Sequence, residues 1–256
     1  MADDPTKVIA NEITLDADAE TVWRALTEGE ELKRWFPADA RVTPGAGGSI
    51  WMSFGEGMDW ESPIELWEPN RHLRTVDPPP GKIAVDYFIE SRGGQTVLRI
   101  VQSGFGADAW DDEVEITATN GWRTFLANLR HYLVRHRGEP RTMVSFRHPA
   151  VPLPREEAFA RMLRAFGFPA ELKPGHRYGV STADGERIAG VVEVFAPPVN
   201  LTATVEDWSD AFLMIEIEPG RERCRPAAWI SLYGDAGREA AAMQQRLEAM
   251  VAAALM

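Results

Sequence analysis

Ile83-Ala84-Val85-Asp86-Tyr87-Phe88-Ile89-Glu90-Ser91-Arg92-Gly93-Gly94-Gln95-Thr96-Val97-Leu98-Arg99-Ile100 is the stretch whose reading decides the fold. Apolar side chains recur at every second position on both sides of a glycine pair. Successive strand residues face opposite sides, so the pattern predicts a half-buried hairpin with a two-residue turn. Downstream the period changes: Trp122, Phe125, Leu126, Leu129, Tyr132 and Leu133 share one face of a helix predicted over Trp110 to Arg137, stopped by Gly138 and Pro140. Upstream, the strand Val8 to Leu15 leads into a helix over Asp18 to Thr27, with Asp18 as cap and Glu20 in the positive first turn. A short helix, Glu30 to Trp35, is stopped by Pro37, and Gly45, Gly47 and Gly48 mark a turn into the strand Ser49 to Phe54.

The same order of elements returns after residues 138–141, the predicted linker. Thr142 to Arg147 reads as a strand and Arg155 to Phe166 as a helix with Glu156 and Glu157 in its first turn. Strands are predicted at Arg177 to Ser181, Arg187 to Phe195, Leu201 to Glu206, Phe212 to Glu218 and Ala227 to Tyr233. A closing helix, Asp235 to Met256, puts Ala240, Met243, Leu247, Met250, Val251 and Ala254 on one stripe. The two copies share little residue identity; the repeat lies in the order. The predicted fold is therefore α+β in two tandem domains, 1–138 and 141–256, each a curved antiparallel sheet wrapped on a long C-terminal helix. Such a layout encloses an apolar cavity in which a function can reside.

Composition narrows the partners. With 45% hydrophobic and 26% charged residues the chain can bury a sizeable core. Its first 140 residues carry 14 basic and 24 acidic side chains and the rest 13 and 15, for a net charge of -12. That balance repels phosphate backbones and anionic lipid surfaces, so neither nucleic acid nor a membrane is an expected partner. The start shows no secretory pattern and no segment approaches a membrane span, so a cytoplasmic protein is expected. One cysteine, Cys224, excludes an intramolecular disulfide.

Several short segments form one ordered pattern: Ala17-Asp18-Ala19-Glu20-Thr21-Val22-Trp23, then Leu32-Lys33-Arg34-Trp35-Phe36, then the turn Pro44 to Gly48 before Ser49-Ile50-Trp51, and Gly121-Trp122 ahead of Phe125, Leu126 and Leu129. Over residues 8 to about 137 this resembles the domain related to the activator of the heat-shock-protein-90 ATPase. That family is a branch of the START and Bet v 1 helix-grip superfamily, also called SRPBCC. Residues 141–256 resemble it only in the order of elements. The resemblance implies a fold with an internal cavity rather than a reaction, since such proteins include chaperone activators, polyketide cyclases and lipid carriers.

Seven of nine tryptophans lie in the first half. Trp35, Trp51, Trp60, Tyr87, Trp110, Trp122, Phe125 and Leu129 are the candidate cavity lining, because ligand pockets are apolar and aromatic with a few polar anchors. The competing reading is that these rings fill a core. If Tyr87 faces the cavity, strand alternation sends Asp86 and Glu90 to the opposite face, where water is expected to solvate them. No catalytic residue, metal site or cofactor is predicted. The histidines show no ligand spacing, and His131 and His136 are expected on different sides of the helix. Cys224, among arginines, is expected in a solvated turn rather than a reactive centre. The expected function is non-catalytic binding of a hydrophobic or amphipathic small molecule in the first domain. The alternatives are a cyclase- or hydrolase-type enzyme using the same cavity, and a protein that partners a chaperone or another protein.

Overall fold

The computed structural model describes residues 8–55, 57–78, 83–105, 112–218 and 223–256, without the side chains of 112–117. The chain divides into two compact units, residues 1–138 and 139–256. No strand of one unit's sheet belongs to the other's.

In the first unit β1 (Ile9–Leu15), α1 (Ala19–Thr27) and α2 (Gly29–Leu32) precede six strands: β2 (Asp39–Thr43), β3 (Ser49–Ser53), β4 (Asp59–Glu68), β5 (His72–Val76), β6 (Ala84–Arg92) and β7 (Gln95–Ser103). α3 (Asp112–Arg135) closes it. The antiparallel sheet runs β1-β7-β6-β5-β4-β3-β2. Gly93 and Gly94 both take positive φ, 61° and 87°, so the two-residue turn twists with its strands and sets Tyr87 opposite Ile100 and Ile89 opposite Leu98. All four of those side chains are buried. Gly48 is required by a close approach, since a Cβ there would sit 2.0 Å from the Thr43 carbonyl oxygen.

The helices are pinned by polar contacts as well as by packing. Asp18 accepts from the Thr21 amide at 2.7 Å and starts α1. The Trp35 indole donates to the Ala25 carbonyl at 2.8 Å, and the Asn128 side chain of α3 donates to the Trp35 carbonyl. The Tyr132 hydroxyl donates to Glu31 at 2.6 Å and accepts from the Gly138 amide at 3.2 Å. α3 is thus tied to α2 near its C-terminal end. The start predicted at Trp110 lies outside the described residues, but helix runs through the β-branched stretch from Val114 to Thr119, whose weak propensity is overridden. β2 was not expected; its few apolar residues sit among charges.

The second unit repeats the plan with one strand and one short helix fewer. β8 (Arg141–Arg147) and α4 (Arg155–Ala165) precede β9 (Arg177–Ser181), β10 (Arg187–Ala196), β11 (Asn200–Val205), β12 (Ala211–Glu218), β13 (Arg225–Tyr233) and α5 (Ala240–Leu255). The sheet order is β8-β13-β12-β11-β10-β9. Phe159, Met162 and Leu163 of α4 and Leu247, Met250 and Val251 of α5 pack with Leu213, Ile215, Ala228 and Ile230 of the sheet in one core. Both units are therefore α+β helix-grip folds. α5 begins later than Asp235, because Gly234–Glu239 forms a 3₁₀ turn first. Gly234 has φ 55°, and a Cβ on Gly237 would lie 2.6 Å from the Thr142 hydroxyl, so that stretch is shaped by close approach to β8.

Candidate functional site

The inner face of the first sheet meets α1, α2 and α3 around a void of about 20 Å³, lined by Leu26, Leu32, Trp35, Phe36, Ile50, Met52, Ser62, Thr75 and Tyr87. That is room for a single water molecule. The larger space expected of a gripped helix is occupied by rings. Phe36, directly after Trp35, is the hub: its centroid lies 5.1 Å from Trp35, 5.4 Å from Phe54, 4.5 Å from Phe125 and 6.0 Å from Trp122. Phe54 stacks on Trp60 at 5.3 Å, and Tyr87 stands edge-on to Trp122 at 6.1 Å. Edge-to-face and offset contacts at these separations are attractive beyond their buried area.

Of the candidates drawn from the sequence, Trp35, Trp60, Tyr87, Trp122 and Phe125 come together in this cluster. Leu129 is fully buried one turn further along α3. Trp110 lies outside the described residues. Trp51 is on the other face of β3, since the inward positions are Ile50 and Met52, and it lies under the Arg41 guanidinium at 4.3 Å. Sequence reasoning missed Phe36 and Phe54. Phe54 could have been found, because it continues the period-two series Ile50, Met52, Phe54. The cluster is wet at one end, where Trp60 remains 42% exposed.

Three hydroxyls break the apolar lining. As residues, Ser62, Thr75 and Tyr87 are each more than nine-tenths buried, but their hydroxyl oxygens are not among the fully buried unpartnered polar atoms of the described residues. They come from neighbouring strands β4, β5 and β6 and border the same void. Burial pushes the Tyr87 phenol well above its usual range, so it stays protonated and can donate. The Trp122 indole, by contrast, is satisfied by the Gln102 side chain at 3.0 Å.

The outer face of the same sheet corrects an expectation. Asp86 is not solvated: it is 7% exposed, bonded to His72 Nε2 at 2.7 Å and paired with Arg74, which also reaches Glu65 at 3.0 Å. The His72 ring lies on Phe88, 4.2 Å between centroids. A buried carboxylate is tolerated here because it is both paired and hydrogen-bonded. Nor do His131 and His136 point apart. α3 ends at Arg135, so His136 leaves the helix and its ring turns back to 5.0 Å from His131. Cys224 is buried and bridged to Val151, its thiol donating to the Leu153 carbonyl at 3.4 Å. Burial pushes that thiol up, the opposite of an activated nucleophile.

Among the described residues no group of three or more His, Cys, Asp or Glu could hold a metal ion, and no helix is long and apolar enough to cross a membrane. Residues 16–134 match the profile of a family described as activator of Hsp90 ATPase homolog 1-like protein. No curated protein matches. Among solved structures, a protein of Mesorhizobium loti is 24% identical with a TM-score of 0.45, over 50% of this chain and 98% of its own. DynU16, a putative protein in the dynemicin biosynthetic locus, is 18% identical over 98% of this chain and 97% of its own, with a TM-score of 0.44. The di-domain ARO/CYC BexL from the BE-7585A biosynthetic pathway is 16% identical over 97% of each chain, with a TM-score of 0.45. Over residues 16–134, a little under half of its length, the chain is thus similar to the family described as activator of Hsp90 ATPase homolog 1-like protein.

Proposed function

We propose that the first unit is a binding module for a hydrophobic or amphipathic small molecule, held between the sheet and α3 at the aromatic cluster, and that residues 141–256 are a diverged second copy of its fold. The supporting observation is the aromatic cluster around Phe36 together with three hydroxyl residues, Ser62, Thr75 and Tyr87, that line the same void. A ligand carbonyl or hydroxyl placed there gains a hydrogen bond where the apolar rings offer none. A void of about 20 Å³ admits no such ligand as it stands. Binding therefore requires the rings to part, and the half-exposed Phe54–Trp60 stack is the nearest to solvent. The ligand matching this lining is a largely apolar, ring-bearing molecule with one or two oxygens.

The test is tryptophan quenching in the full chain by a panel of flavonoids, polycyclic aromatic ketones and fatty acids. An oxygenated aromatic is expected to bind, and Tyr87→Phe to weaken it about tenfold, the worth of one buried hydrogen bond. Equal binding by wild type and variant, or no ligand in the panel, would sink the reading. The family match supports a second one, partnership with a chaperone ATPase, tested by whether the full chain raises the ATPase rate of the heat-shock-protein-90 chaperone.

A further inference from the structure

The second unit carries a cavity that the reading above does not use. α4, α5 and the turn joining β9 to β10 surround a groove of about 660 Å³, within the size range of small-molecule sites. Its floor is small and apolar: Ala165, Ala249, Met250 and Ala253. Its rim is charged, and the charges are unevenly used. Next to the β9–β10 turn, Arg246 is fully engaged: it reaches both carboxylate oxygens of Asp184 at 2.7 and 2.9 Å, pairs with Glu186, and lies 5.2 Å from the Trp208 ring. On α4, a single carboxylate serves two guanidiniums. Glu157 is 2.8 Å from Arg161 and only 3.9 Å from Arg164, whose side chain is 65% exposed.

Local geometry fixes the backbone that carries that cation. α4 ends on Gly167 in a left-handed conformation, φ 77°, with the Phe168 amide donating to the Leu163 carbonyl at 2.8 Å and the Gly167 amide to Arg164 at 3.0 Å. The Arg164 backbone is thus fixed at the last turn, and its side chain borders the alanine floor. One further negative charge would balance the Arg161–Arg164 pair, and guanidiniums receive carboxylates in two-point fashion. We propose that this groove binds a small amphipathic anion, its acyl or aryl body along the alanine floor and its carboxylate at Arg164 and Arg161. The site is distinct from the aromatic cluster of the first unit.

The full chain, labelled at its methionine methyls, gives a separate reporter for each site, because Met250 lines this groove and Met52 lines the first unit's void. Decanoate is the probe, with decan-1-ol and decylammonium as neutral and cationic counterparts. Decanoate should shift the Met250 methyl saturably, with decan-1-ol at least about tenfold weaker and decylammonium weaker still. Arg164→Glu should cost decanoate at least about tenfold. Ala253→Trp, at an exposed position, should abolish the Met250 shift; if that variant unfolds, Ala249→Phe fills the same floor. An unmoved Met250 methyl, equal affinity in Arg164→Glu, or decan-1-ol binding as tightly as decanoate overturns the proposal. A shift at Met52 alone also overturns it, while favouring the first-unit reading.

Discussion

Glu216 lies on the face of β12 opposite the core residues Ile215 and Ile217, and its carboxyl is pushed up to about 7, first by burial and then by Glu218, against the pull of Arg147. Below its ordinary value of 4.5 both folded and unfolded chains hold the proton, and the group is neutral to stability. Between 4.5 and 7 the unfolded chain releases the proton first, so stability falls as pH rises. Glu216→Gln should therefore leave stability unchanged near pH 4 and raise it at pH 8 by at most about 3 kcal/mol, read by urea unfolding at the two pH values. A stabilisation equal at both would contradict the assigned cause. Tyr87→Phe should change the stability of the ligand-free protein by less than about 1 kcal/mol, because its hydroxyl is not a fully buried unpartnered group. A larger destabilisation would mean that the hydroxyl is satisfied. The candidate site was partly legible at this scale. In Ser49-Ile50-Trp51-Met52-Ser53-Phe54 the alternation sets Ile50, Met52 and Phe54 on one face and Trp51 with two serines on the other, so the outward face of Trp51 was legible and its ring alone suggested the cavity. Asp86 was misplaced because strand parity fixes a face but not whether His72 and Arg74 will cover it.

At the scale of elements, α3 and α4 make different demands on their sequences. Leu129 of α3 is fully buried, and Leu129→Ala should cost about 3 kcal/mol. Trp122, only partly buried at the aromatic end, should cost less than the 3 to 5 kcal/mol of a packed tryptophan, roughly 2 kcal/mol, when changed to alanine. Thermal unfolding of both variants checks the order, and the reverse order would place Trp122 in the packed core. For α4 the sensitive position is its terminus. A Cβ on Gly167 would stand 2.1 Å from the Ser181 carbonyl oxygen, in a backbone conformation unfavourable to L side chains, so Gly167→Ala should cost more than about 2 kcal/mol. Long helices and the glycine-paired hairpin were legible because each carries its own periodicity. The 3₁₀ turn before α5 was not. Its cause is the approach of Gly237 to Thr142 of β8, nearly a hundred residues away in sequence, and no local pattern records it.

For the whole molecule, the order of elements was legible twice over while residue identity was not, because a helix gripped by a sheet needs matching faces rather than matching residues. What the order could not reveal is how full the first unit's interior is, since that depends on which rings turn inward. The two separate sheets have one further consequence, for association rather than binding. Each sheet has two free edges, β1 and β2 in the first, β8 and β9 in the second. β2 and β9 are five residues long and carry Asp39, Arg41 and Arg177, features that blunt strand addition. β1 and β8 are seven residues long; β8 reads Thr-Met-Val-Ser-Phe between its terminal arginines with no charge inside, and the amide and carbonyl of its Ser145 are held by the Gln244 side chain of α5 at 3.2 and 2.8 Å. Heat stress that loosens α5 should therefore release that strand and recruit other chains through β8 first. Gln244→Ala, which uncovers the Ser145 amide and carbonyl, should shorten the lag of thioflavin-detected aggregation, whereas a lysine at Val42 of β2 should leave it unchanged. Through this clasp, one amide side chain would set the colloidal shelf life of the protein.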